Sequence, residues 1–77
     1  MKILFFGRLG ETIGREIEVD LPADGCTVAA LRERLAKEHR GLDAASVRAC
    51  IDRAMVPETA HILPGQEVAF VPPLSGG

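Results

Sequence analysis

One stretch of this 77-residue chain has both the length and the apolar spacing of a helix, and it limits the fold more than any other feature. It runs from Val28 to Arg40. Val28, Leu31 and Leu35 fall on one stripe at helical spacing, with small alanines beside them. Thr27 stands where a hydroxyl caps the first turn. Arg40 suits the negative end of the helix dipole, and Gly41 suits a left-handed cap. Glu33 and Lys37 lie four residues apart, in the favourable order for an exposed ion pair. One helix can cover one face of a sheet, so the remaining segments must supply a single sheet for it to pack on.

Those segments read as strands. Lys2 to Phe6 is β-branched and aromatic, with Ile3 and Phe5 on one face and Leu4 and Phe6 on the other. Both faces are apolar, so one packs on the core and the other is covered or offered to a partner. Arg15 to Leu21 alternates: Ile17, Val19 and Leu21 point inward, and Glu16, Glu18 and Asp20 point to water. It is expected to pair antiparallel with the first strand. Between them, Gly7 to Gly14 reads as a glycine-rich loop with room for a helical turn. It has no Gly-Lys-Ser/Thr ending, so it is not a phosphate loop.

Beyond the helix, Val47 to Ile51 is a third strand with Val47, Ala49 and Ile51 on one face. Asp52 to Ala54 makes a turn, and Pro57 confines Met55-Val56 to a sheet edge. Pro64-Gly65 is a further turn, and Glu67 to Val71 is the last strand. This order gives an α+β fold: a mixed sheet of four to five strands with one main helix on one face, the last strand lying beside the first. That is the ubiquitin-like β-grasp. Periodicity alone leaves open a ferredoxin-like arrangement, which would need a second full helix.

Several functional classes fall away. The net charge is −2 with both signs interspersed, which gives no basic footprint for nucleic acid or an anionic membrane. Phe5, Phe6 and Phe70 are the only aromatics, too few for base-stacking platforms. Cys26 and Cys50 form no Cys-x-x-Cys unit, and Cys50 reads as a small buried hydrophobe. His39 and His61 have no second ligand at helical spacing. The acidic run of 16–20 is a solvated face, because nothing local would hold one carboxyl protonated for catalysis. The apolar run Ile3 to Phe6 is too short for a signal peptide, and a cytosolic, reduced location is expected.

The end of the chain is the unusual part. Pro72 and Pro73 stop the last strand because neither has an N–H for a ladder, and they favour a stiff, extended exit. Leu74, Ser75, Gly76 and Gly77 follow. Residues 1–71 are thus the expected domain and 72–77 an extended tail. Six residues reach about 20 Å, far enough to project a carboxylate well away from the body. Two glycines, lacking Cβ, pass where other residues would not.

Phe5-Phe6-Gly7, Thr27 to Arg32, Pro64 to Phe70 and Pro72-Pro73-Leu74-Ser75-Gly76-Gly77 together resemble the small subunits of molybdopterin synthase, which belong with the ubiquitin-like sulfur carriers. The resemblance spans nearly the whole chain, and its ending is the specific part. The chain departs from the family at Gly10-Glu11, where Arg-Glu is frequent, and at Asp52, where Asn is frequent. The resemblance implies a carrier cycle. An E1-like activating enzyme using ATP and magnesium adenylates Gly77, and sulfur then replaces AMP to leave a thiocarboxylate. The large synthase subunit, in an expected heterotetramer, takes in the tail, with Gly76 and Gly77 at the chemistry. There the sulfur passes to cyclic pyranopterin monophosphate. This chain itself is expected to bind no cofactor or metal, and the catalytic residues are expected on the large subunit.

Phe6 and Val71 lie on outward strand faces and the resemblance places Met55 beside them, so the three are expected to form an exposed apolar patch that, with Pro72, Pro73, Leu74 and Ser75, contacts partners. The rival functions are a sulfur carrier for thiamine, tRNA thiolation or cysteine synthesis, a protein modifier forming isopeptide bonds, and a plain interaction module. Carriers of those other pathways usually lack Pro-Pro before Gly-Gly.

Overall fold

The computed structural model of the chain describes residues 1–39, 42 and 47–72. The elements run β1 (Lys2–Phe5), α1 (Arg8–Ile13), β2 (Glu16–Glu18), β3 (Cys26–Thr27), α2 (Val28–Ala36), β4 (Arg48–Ile51), β5 (Ala54–Val56), β6 (His61–Ile62) and β7 (Val68–Val71). Five strands form one mixed sheet in the order β2-β1-β7-β4-β5. β1 pairs antiparallel with β2 and parallel with β7, so the first and last strands lie together at its centre. This is the β-grasp arrangement with one main helix, and the ferredoxin-like alternative is excluded.

Apolar alternation decides which face packs. Ile3 and Phe5 of β1, Val68 and Phe70 of β7, and Ala49 and Ile51 of β4 all point into the core. Val28, Leu31 and Leu35 of α2 meet them there. Phe5 and Phe70 stack at the centre, with ring centroids 5.9 Å apart. Thr27 caps α2 as expected: its Oγ1 accepts from the Ala30 N–H at 3.1 Å.

The structure differs from the sequence reading in several places. First, 7–14 is not chiefly a loop but carries α1, because Leu9 is buried and Ile13, one turn on, is half-buried against the core. That burial outweighs the poor helix propensity of Gly10. Second, α2 ends at Ala36 rather than at residue 40, and the Leu35 carbonyl accepts from both Glu38 and His39 as the last turn tightens. Arg40 and Gly41 lie outside the described residues.

Third, Glu33 and Lys37 make no ion pair; at an exposed site the attraction barely offsets the entropy of holding two long side chains. Fourth, β3 and β6 form a separate two-stranded ribbon, each strand too short to show any periodicity. Gly25 leads into it at φ +77, and a Cβ there would lie 1.9 Å from the Ile62 carbonyl oxygen, so this turn admits only glycine. Fifth, the β4–β5 turn is Asp52-Arg53 alone, and Ala54 already belongs to β5. Both turn residues have positive φ, the backbone of a type I′ hairpin. The turn is tied to β7, because the Asp52 N–H donates to the Glu67 carbonyl and the Glu67 N–H donates to Asp52 Oδ1.

One polar group crosses the core boundary. The Arg32 side chain is 11% exposed and is held by both carboxylate oxygens of Glu58, at 2.7 and 2.8 Å. It also donates to the Leu42 and Val47 carbonyls and lies 5.4 Å from the Phe70 ring centre. One guanidinium thus ties α2 to the segment before β4, to the segment after β5 and to β7. Arg32→Ala would leave two carbonyls without a donor and Glu58 without a partner. It is expected to cost about 3 kcal/mol, read as a lower urea midpoint at unchanged slope.

Candidate functional site

The face of the sheet opposite α2 is built from the alternate residues of the same strands. Cross-strand register brings Leu4, Ala69, Cys50 and Met55 into one row across β1, β7, β4 and β5. Val71 and Arg48 form the next row, and Phe6 extends it past the end of β1, its N–H donating to the Phe70 carbonyl at 3.1 Å. Phe6 is 50% exposed and Met55 57% exposed, while Val71 and Leu4 are half-buried. The expected apolar patch of Phe6, Met55 and Val71 therefore lies on one surface and is not absorbed by the core.

Two residues of this surface were missed from sequence. Ala69 fills its centre. Cys50, expected to be buried, is instead half-buried and faces outward. The reason is plain alternation: with Ala49 and Ile51 inward, Cys50 must point the other way. Its thiol donates to the Met55 sulfur at 3.2 Å. Leu63 is also exposed, but it belongs to the turn after β6 and not to this face. Cys26, on β3, has its thiol pKa raised by burial, an effect that Arg34 partly opposes.

The tail leaves from the edge of this surface. Pro72, half-buried, follows Val71 directly and packs on Gly7. Gly7 has φ +60, and a Cβ there would come within 2.8 Å of the Pro72 ring. Beside Phe6 is a hollow lined by Leu4, Gly10, Glu11 and Arg15. Gly10 lies so close to the Phe5 carbonyl that a Cβ would sit 2.9 Å from its oxygen, so an arginine there would need the backbone to shift. Asp52 accepts the Glu67 N–H through Oδ1, a bond that an asparagine side-chain carbonyl would also make. Pro73, Leu74, Ser75, Gly76 and Gly77 lie outside the described residues.

Among the described residues, no constellation with obvious chemistry competes with this face. Among the described residues, no group of three His, Cys, Asp or Glu could hold a metal ion. No described helix is long and apolar enough to cross a membrane. His61 is engaged with the Asp24 carbonyl, through a ring nitrogen 2.5 Å away.

Comparison with known proteins gives one consistent picture. The ThiS family pattern matches residues 3–77. The molybdopterin synthase sulfur carrier subunit of Escherichia coli is 32% identical over 81 residues, covering 100% of this chain and 99% of that one. A solved structure from Pyrococcus furiosus, described as a putative molybdopterin converting factor subunit 1, superimposes with a TM-score of 0.79 at 25% identity over 95% of both chains. A Helicobacter pylori chain from a complex of subunits 1 and 2 of molybdopterin-converting factor shares the fold, with a TM-score of 0.67 at 18% identity over 99% of this chain and 96% of that one.

The two faces of the sheet differ in a way that stability measurements can read. Phe6→Ser and Met55→Ser, on the open face, are expected to change unfolding free energy by no more than about 0.5 kcal/mol. Phe5→Ala, one residue away on the packed face, is expected to cost about 3–5 kcal/mol. Urea denaturation of the three variants checks the contrast.

Proposed function

Because the chain belongs to the ThiS family, we propose that it is the sulfur carrier subunit of a molybdopterin synthase, with its chemistry at the Gly77 carboxylate. The observation that carries this reading is the family match running through to Gly77, at the end of a Pro72-Pro73-Leu74-Ser75-Gly76-Gly77 segment. The full-length similarity to a carrier subunit of that synthase supports it.

A carboxylate is a poor electrophile and a poor nucleophile, so it must be activated before it can carry sulfur. In the proposed cycle a carboxylate oxygen of Gly77 attacks the α-phosphorus of ATP in an E1-like partner, and pyrophosphate leaves. A sulfur nucleophile then displaces AMP, giving a thiocarboxylate. This group is ionised at neutral pH and presents a soft nucleophilic sulfur. In the large subunit that sulfur attacks a carbon of cyclic pyranopterin monophosphate, a C–S bond forming as a C–O bond to that carbon breaks, which leaves the tail joined as a thioester. Hydrolysis returns the carboxylate, and two such transfers build the dithiolene. A tethered sulfur reacts as an oriented group and not as a solute, which is the advantage of holding it on a tail.

The body of the chain supplies no acid, base or metal in this scheme. Its contribution is the open apolar face at the root of the tail, through which both partners would grip the carrier. Gly76 and Gly77 keep the tail narrow enough for a closed channel. ATP and magnesium are held by the activating partner.

The test is intact-mass analysis after incubation with the activating enzyme, ATP and a sulfur source. The expected result is a gain corresponding to one oxygen exchanged for one sulfur, mapping to the C-terminal peptide. Deleting Gly76 and Gly77 is expected to abolish the gain while leaving the fold intact. Covalent adducts on lysines of other proteins, with no thiocarboxylate, would indicate a modifier instead.

A further inference from the structure

The root of the tail carries charge that nothing in the fold uses. Arg48 sits opposite Val71 in the β4–β7 register, one residue before Pro72. Arg8 follows Gly7, the residue on which Pro72 packs. Both are exposed, and neither has a hydrogen bond or ion pair to any described residue. The opposite end of the same sheet is different. There Lys2 pairs with Glu16 at 3.5 Å and the Met1 amine with Glu18 at 3.3 Å. Glu11 lines the hollow beside Phe6 together with Arg15, so those two offset each other in sign. A chain of net charge −2 thus leaves two guanidinium groups unneutralised where its tail departs.

Building on the proposed function, we infer that Arg8 and Arg48 form a basic collar that reads carboxylates at the mouth of the large subunit's tail channel. The charge order along the carrier argues for this occupant. In the proposed function the segment that begins at Pro72 ends on an anion, either carboxylate or thiocarboxylate. A complementary partner carries the reverse order, with carboxylates at the mouth and cations at the floor. A cationic floor also suits the phosphate of the pterin substrate. The planar guanidinium fork matches a carboxylate in two hydrogen bonds, which gives orientation as well as attraction. Nucleic acid is a poor alternative, because the acidic β2 edge and the net charge both oppose it. Rim charges of this kind act mainly by steering encounter, so they set the association rate.

The experiment measures association and dissociation rates of the full chain with the large subunit from the same organism, at low and high salt. Arg8→Glu and Arg48→Glu are each expected to slow association about tenfold at low salt, with the difference shrinking at high salt. Arg8→Gln and Arg48→Gln are expected to show a smaller loss of the same sign. Arg53→Glu, an exposed change at the far end of the β4–β5 hairpin, is expected to stay within about twofold of wild type. Circular dichroism and thermal melts confirm that each variant is folded.

A wild-type association rate in both charge reversals, or a loss carried only by dissociation and insensitive to salt, overturns the collar. Phe6→Asp separates the two claims. If it abolishes binding while the arginine variants bind normally, the docking face stands and the collar falls. If the wild-type chain does not bind the large subunit at all, the proposed function falls with it.

Discussion

A sheet has two faces, and this chain has one long helix to cover them. That shortage organises the molecule. α2 closes one face with Val28, Leu31 and Leu35, and Ile3, Phe5, Val68 and Phe70 answer from the sheet. The other face keeps Leu4, Phe6, Val71 and Met55 at the surface, at a cost in solvation that a stand-alone globule has no reason to bear. In the proposed function this uncovered surface at the root of the tail is where partners grip the carrier.

The central parallel pair links the surface to the tail. Because β7 lies between β1 and β4, the last strand is held on both sides by ladders, with Phe70 stacked on Phe5 and lying 5.4 Å from the Arg32 guanidinium. The strand that launches the tail is therefore the central one of the five, paired on both sides. Register then places Phe6 and Arg48 on either side of Val71, and the Gly7 backbone lets Pro72 pack closely. Whatever grips the open face also fixes where the tail begins. In the proposed cycle docking controls position at a distant channel, so the chemistry asks for no catalytic side chain from the carrier.

Much of this could be read from residues alone, for identifiable reasons. The stripe in α2 and the cap at Thr27 are local and strong. The alternation of 15–21 and the proline after Val56 set one strand's faces and an edge. What failed to show depends on contacts distant in sequence. Burial of Leu9 and Ile13 turns a glycine-rich stretch into α1. The β3–β6 ribbon has only two residues per strand. Cys50 was misplaced because cysteine is usually buried, although the neighbours Ala49 and Ile51 already dictated its direction. The clamp at Arg32 gathers segments that no local pattern connects. Strand alternation sets Phe6 and Val71 opposite the core, whereas Met55 on its short edge strand shows no such pattern and is placed beside them by the family resemblance.

In the proposed function partners grip the open sheet face and not the α2 side. This is tested most directly by following backbone amide resonances of the labelled chain as the large subunit is added. Shifts and broadening are expected to concentrate at Leu4, Phe6, Cys50, Met55, Ala69 and Val71. Changes centred instead on the exposed side of α2, at Ala29, Glu33 and Lys37, with the open face unmoved, would contradict it.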